Sequence, residues 1–405
     1  MKTISETQLL PVQEGADVIV AGGGFAGVAA ALAARRTGAS VLLLEKTAAF
    51  GGLGTNGLIS WYEPLCNGLG EQFLHGLPEE LLRLSIRYGD DTLPKIWQDP
   101  TVPVDPALVR PEKAHPIGGR YATFFSPTLC QLAMDEALIK EGVQIRLDIL
   151  CTRPLMEGSK CLGVICESKS GREFFPAKAF VDATGDADLF YRAGCECKNG
   201  ENYFSFIAQG STVSQKENAL GNRQWIGVGS SLHGEGHPEG YPKMSGTTNE
   251  EVTKFLLDGR SALLNKIRNE NRKTRDIASL PTQAQFRKTR RICGAYTLLD
   301  RDVKQPHKDS IGLCPDFERV GDWYEIPYGT LYSPQADNLF AAGRMISSDE
   351  WAWDVTRVIP TCALTGQAAG IAAALLSQRD VAAPELDVTL VQKELERQGI
   401  RLHKD

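Results

Sequence analysis

Three glycines, Gly22, Gly24 and Gly27, stand in "VIVAGGGFAGVAAALAARRTGASVLLLEK" between an apolar run and an alanine-rich run, and Glu45 closes a second apolar run. That spacing suits phosphate binding. Gly22 permits a tight turn, Gly24 lets the backbone approach a pyrophosphate, and Gly27 lets a helix and a strand come together. The N–H groups of the residues that follow, Phe25 and Ala26 first, then face the phosphates from a helix N-terminus, where the dipole favours negative charge. Glu45, with Lys46 behind it, ends the second run where a carboxylate accepts ribose hydroxyl protons. An acidic residue there fits NAD or FAD and disfavours NADP.

The next stretch, "TAAFGGLGTNG", separates the two. It brings Gly51, Gly52, Thr55, Asn56 and Gly57 directly after the second run. A nicotinamide enzyme needs no second glycine-rich turn here, whereas an extended FAD passes beneath one. FAD is therefore the expected cofactor.

The elements that position these residues can be read from periodicity. Ala16–Ala21 reads as a buried parallel strand, Phe25–Thr37 as a helix with a small face of alanines, and Val41–Leu44 as the second strand of a βαβ unit. Ser126-Pro127 is an N-cap and first-turn pair that opens a helix with an apolar stripe at Leu129, Leu132, Ala133, Ala137 and Leu138. Val143–Cys151 reads as one strand carrying backbone groups, Cys151 among them, toward an adenine. Cys161–Ser168 and Arg172–Phe175, joined by "KSG", read as a hairpin.

Composition narrows the function classes. The chain has 405 residues, 42% hydrophobic and 23% charged, which is ordinary for a globular protein with a large core. A formal charge of −6 argues against a broad nucleic-acid footprint. The apolar stretches near 18–34 and 362–376 are broken by glycine or polar residues, so no membrane span is expected. No basic region followed by an apolar core opens the chain, and a cytoplasmic location is the expectation. The ten cysteines lack zinc-like spacing, so reduced thiols and no metal are expected, and the CxC of Cys195 and Cys197 reads as an ordinary loop.

Three further stretches carry a resemblance. "AFVDATGDADL" holds Thr184 and Gly185, "EIPYGTLYSPQADNLFAAGRMISS" holds Gly343 and Arg344, and "RVIPTCALTGQAAGIAAALL" opens on Arg357, Val358 and Ile359. With the βαβ unit and "FRKTRRICGAYTLLDRDV", they resemble the FAD-dependent oxidoreductase family of the glutathione-reductase-like and fumarate-reductase-like flavoproteins. The resemblance implies that Thr184 and Gly185 end a returning strand against the cofactor. It likewise implies that Gly343 and Arg344 lie beside the pyrophosphate and ribityl chain. Arg357, Val358 and Ile359 would open a final helix aimed at the flavin pyrimidine edge, where N–H groups stabilise the charge of reduced flavin.

The implied fold class is α/β. A Rossmann-like FAD-binding domain, a doubly wound parallel sheet plus a β-meander, carries an inserted α+β substrate cap. The cofactor domain is discontinuous, with pieces at 1–60, 120–200 and 330–380. The cap takes 61–119 and 201–329, and 381–405 forms a C-terminal segment. There is no second dinucleotide unit and no CxxC after the first, so electrons are expected to pass between a small-molecule substrate and oxygen, a quinone or a protein partner. A homo-oligomer is compatible with this.

Candidate catalytic residues follow from what hydride transfer requires: a held C–H donor, a proton acceptor and exclusion of water. In "SSDEWAWDVTR", Trp351 and Trp353 could wall the site, while Asp349, Glu350 or Asp354 accepts a proton. His75 is a candidate base or point of covalent flavin attachment, and Tyr62 and Glu63 follow the second glycine loop. In "FRKTRRICG", strand geometry would send Arg287 and Arg291 one way and Lys288 and Arg290 another. Arg290 is the preferred residue for a substrate carboxylate. The activity expected is a dehydrogenase or oxidase taking a hydride from a hydroxy acid, dicarboxylate or sugar-like compound. The alternatives are a C=C reductase, a flavin subunit of an electron-transfer complex, and a non-catalytic binding protein on the same fold.

Overall fold

The structure is a computed structural model that describes residues 3–89, 122–214, 219–270, 275–379 and 381–404. Much of the first stretch assigned to the cap, residues 90–119, therefore lies outside the described residues.

Strand β1 (Ala16–Ala21) and helix α1 (Phe25–Arg36) meet through Gly22, whose φ of 101° only glycine adopts readily. Thr37 caps the helix end, and β2 (Val41–Glu45) returns parallel to β1. The sequence alternates too little to face water, and every residue of β2 is buried. This is the pattern of a strand covered on both faces.

The expected strand over 143–151 is two strands, β3 (Gln144–Leu147) and β4 (Leu150–Glu157). Asp148 breaks it with a left-handed φ of 57°, its N–H held by the Thr47 carbonyl. The hairpin is formed by β5 (Lys160–Ser168) and β6 (Gly171–Asp182). The order across the main sheet is β3-β2-β1-β6-β5-β4, with the strand Leu339–Ala341 also pairing with β6. β6 belongs to two structures at once. Its N-terminal half closes the antiparallel meander, and its C-terminal half runs parallel to β1 and to Leu339–Ala341.

Helices α2 (Leu77–Ile86) and α3 (Pro127–Lys140) pack on one another, and α3 is capped as expected by the Ser126 hydroxyl accepting from the Leu129 N–H. Leu77, Leu81 and Leu82 of α2 enter the same core as α1, each such burial contributing about 2 kcal/mol. Although α2 falls within 61–119, it packs with the cofactor layer.

The separate second core is smaller. It is built on the antiparallel sheet of β7 (Ser205–Ser214), β8 (Ala219–Gly229) and β9 (Arg275–Ser279), covered by α4 (Asn249–Arg268) through Phe206, Phe255 and Phe286. The α+β cap centres on this unit. Residues from Ile292 onward, including Ile311, Tyr324 and Ile326, join the main core.

Helices α5 (Glu350–Thr356) and α6 (Ile359–Ser377) follow, and α7 (Val388–Arg397) packs on α6. α6 is apolar on all sides because it is enclosed by α1, α2, α7 and the main sheet. Gly366 and Gly370 let it approach α1 closely. A Cβ on them would lie 2.1 Å from the Ala26 carbonyl oxygen and 2.2 Å from that of Ala30.

Candidate functional site

A cleft of about 920 Å³, open to solvent, runs along the C-terminal ends of β1, β2 and β6 to the start of α6. Gly22, Gly24, Phe25, Ala26, Glu45 and Lys46 line one end. Thr184, Gly185, Cys151 and Gly343 lie along its wall. Gly51, Gly52, Arg344, Arg357 and Ile359 line the remainder. Fifteen residues from separate parts of the chain thus converge on one cleft.

The others support this wall from behind. A Cβ on Gly27 would lie 1.8 Å from the Gly22 carbonyl oxygen, so its glycine serves the crossing of helix and strand. Thr55 is buried, its hydroxyl on the Phe50 carbonyl, and the Asn56 amide holds Thr47 and Ala49. Gly57 faces Leu53, and Val358 is the N-cap of α6. Residues not anticipated from the sequence also line the cleft, notably Gln283, Asp188 and Cys362. Gln283 comes from the cap, and no local pattern marks it.

The donors fit an extended dinucleotide. Neither α1 nor α6 has a side-chain cap at its N-terminus, so the N–H groups of the first turn are left for a ligand. A Cβ on Gly24 would meet nothing within 4 Å, although a Cβ on Gly22 would lie 2.4 Å from the Ala183 carbonyl oxygen. The space over Gly24 is therefore cleft and not protein. Glu45 is buried and oriented: Oε2 accepts from the Gly23 N–H at 2.6 Å, and Oε1 from the Thr47 N–H and hydroxyl at 2.8 Å. Oε1 is filled by its two donors, and Oε2 keeps a lone pair for a ribose hydroxyl. Arg344 is fixed by the Gly185 carbonyl and by Asp186, each at 2.7 Å.

A second pocket, about 530 Å³, opens beside the first between the cap and α5. Arg357 lines both. Its lining includes the charged Arg287, Lys288, Asp354 and Glu201 and the polar Tyr203, Ser205 and Ser230. Lys288 Nζ and Arg357 share the Asp354 carboxylate, at 2.7 and 2.8 Å. Burial would raise that carboxyl, but the two cations outweigh it and hold it below the usual range.

The candidate catalytic residues are scattered. Arg290 lies outside both cavities: its guanidinium stacks 3.9 Å from the Tyr191 ring and binds the Asp186 carbonyl and Asp188. The strand that would have set the alternation begins only at Arg290, so the spacing assumed for 287–289 does not apply. His75 is half-exposed, near Glu79. Tyr62 is fully buried, its hydroxyl donating to the Pro78 carbonyl. Glu350 is at the exposed start of α5 with φ 54°, accepting from the Asp300 N–H. Trp351 donates to Asp316, and Trp353 to the Arg344 carbonyl at 2.7 Å, behind the cleft wall.

No curated protein matches the chain. Among solved structures it is similar to the OxyS anhydrotetracycline hydroxylase from Streptomyces rimosus, at 12% identity and a TM-score of 0.45, over 96% of this chain and 66% of that one. It is also similar to a geranylgeranyl bacteriochlorophyll reductase-like protein from Thermoplasma acidophilum, at 13% identity and 0.45, over 95% and 83%. THI4 of Thermovibrio ammonificans aligns at 15% identity and 0.31, over 45% and 63%. The chain thus spans just under two thirds of the length of the hydroxylase and of THI4. The family described as FAD dependent oxidoreductase matches residues 17–275 and 236–395, which include both glycine loops, the cap and the start of α6. The chain therefore belongs to the FAD-dependent oxidoreductase family and is an enzyme that uses FAD.

Proposed function

We propose that this enzyme takes a hydride from a small polar molecule, a hydroxy acid, dicarboxylate or sugar-like compound, bound in the second pocket. The observation that supports this is the position of Arg357, which lines that pocket and the end of the cofactor cleft together. A molecule there would abut whatever ring system the start of α6 receives. FAD, when bound, supplies a two-electron acceptor.

The residues of the chain then divide the remaining work. Arg287, Lys288 and the serines of the cap bind and orient the substrate. Asp354 faces the pocket but is held ionised, so it positions Lys288 and Arg357 and is a weak proton acceptor. Trp353, anchored on the Arg344 carbonyl, keeps water from the rear of the cleft.

An anaerobic panel of hydroxy acids, dicarboxylates and sugars tests the reading through bleaching of the visible flavin band. At least one class should bleach it, and readmitted oxygen, a quinone or a protein acceptor should restore it. A yellow protein that no member of the panel bleaches would refute the proposal.

A further inference from the structure

We infer that Arg287 is the anchor for a carboxylate group of the substrate. The inference rests on the second pocket being where that substrate binds. Three observations carry it.

The first is an imbalance of charge. The pocket is lined by three cations, Arg287, Lys288 and Arg357, and by two carboxylates, Asp354 and Glu201. Both oxygens of Asp354 are already taken, one by Lys288 and the other by Arg357. Glu201 stands at the rim, exposed, and leans toward Lys243 at 3.6 Å. Arg344, close by, is paired with Asp186.

The second is that Arg287 has open donors. Among the described residues no carboxylate lies within ion-pair distance of it, and its guanidinium makes one long hydrogen bond, to the Gln285 carbonyl at 3.3 Å. A guanidinium has five N–H donors in a planar fork that matches a carboxylate bidentately. Burial, with the nearby Arg357 and Arg344 charges adding to it and Asp354 opposing, pulls its pKa down to about 10. It is still a cation at neutral pH, in surroundings that favour an added anion.

The third is preorganisation. The Arg287 and Lys288 N–H groups both donate to Asn202 Oδ1, at 2.8 and 2.9 Å, while the Asn202 amide holds the Lys288 and Met244 carbonyls. The backbone bearing the fork is thus fixed from the cap side. Arg290, stacked on Tyr191 and bound to Asp186 and Asp188, lacks this freedom.

The test is calorimetric titration of the FAD-loaded protein with acetate, lactate and succinate and with the corresponding neutral amides. At least one carboxylate should bind, and its amide at least tenfold more weakly. Arg287→Met should weaken the carboxylate on the order of ten- to a hundredfold, as expected for a charge-assisted bidentate pair. Arg287→Lys should fall between, and Arg172→Met, on the meander, should change nothing. Flavin content and melting temperature establish that each variant is folded.

Equal binding of acids and amides would overturn the assignment, as would no binding by any of them. So would wild-type affinity in Arg287→Met, or a loss that follows Arg290→Met instead. Bleaching separates this from the functional reading. If carboxylates bind through Arg287 and no member of the panel bleaches the flavin, the anion site stands and the proposed reaction fails. If carboxylates bleach it equally well in Arg287→Met, the reaction stands and the anchor fails.

Discussion

Lys288 reaches from the cap to Asp354 on α5, Nζ to Oδ2 at 2.7 Å, and so ties the two layers that enclose the second pocket. Arg357 holds the other oxygen of the same carboxylate. Asp354→Asn would leave two cations facing one another beside Arg287, with no carboxylate between them. The expected loss of stability is about 3 kcal/mol, the range for breaking a largely buried pair by removing one partner. Urea titration measures it. The double variant Lys288→Met/Asp354→Asn should lose less than the sum of the two single changes.

Gly24 and Gly27 lie three residues apart and should respond oppositely. Gly27→Ala forces a Cβ onto the Gly22 carbonyl oxygen and should destabilise the chain by about 1–3 kcal/mol or more, as overpacking does. Gly24→Ala meets no protein atom within 4 Å, and the backbone there, φ −65° and ψ 179°, accepts any residue. It should melt like the wild type when stripped of flavin, yet bind FAD at least tenfold more weakly. Thermal melts of apoprotein and a flavin titration distinguish the two.

Gln285 is almost fully buried and joins three backbone groups, the Gly57 carbonyl and both the N–H and the carbonyl of Ile207. Gln285→Leu fills the same space and leaves them unpaired, at a cost of about 1–3 kcal/mol for each group that water cannot reach. Hydrogen exchange at Ile207 should accelerate at least tenfold, because its N–H then loses the Gln285 acceptor.

Asp182 ends β6 with no solvent exposure, accepting from the N–H groups of Thr184, Leu189 and Phe190. Burial dominates these contacts and raises its pKa from 3.8 to about 6. The folded state therefore holds a proton more tightly than the unfolded chain. This group's contribution to stability is complete below pH 3.8 and disappears as pH rises through 6. The advantage of wild type over Asp182→Asn should shrink from pH 4 to pH 7, by about 3 kcal/mol at most at 1.36 kcal/mol per pKa unit. Denaturant midpoints at the two pH values check the sign.

The first βαβ unit was legible because its information is local: glycine positions, an alanine face and two apolar runs lie within thirty residues. The second glycine loop and the Ser126 cap were readable for the same reason. Long-range placement was not. Leu77, Leu81 and Leu82 make an amphipathic stripe whichever layer it faces, so nothing in them says that α2 joins the cofactor core. Asp148 turns the chain into the left-handed region without a glycine, which concealed the break between β3 and β4. The choice of Arg290 assumed strand alternation through 287–291, whereas the ladder with residues 197–199 begins only at Arg290. Gln283 lines the cleft through its place in the cap, a fact carried by tertiary packing alone.

With no side chain at positions 366 and 370, α1 and α6 rest backbone against backbone, and their relative placement cannot drift. Both helices begin at the same cleft, so this contact fixes the span between two anion-seeking ends. The pair acts as a caliper: a nucleotide long enough to touch both jaws gains both, while a shorter one must forgo either.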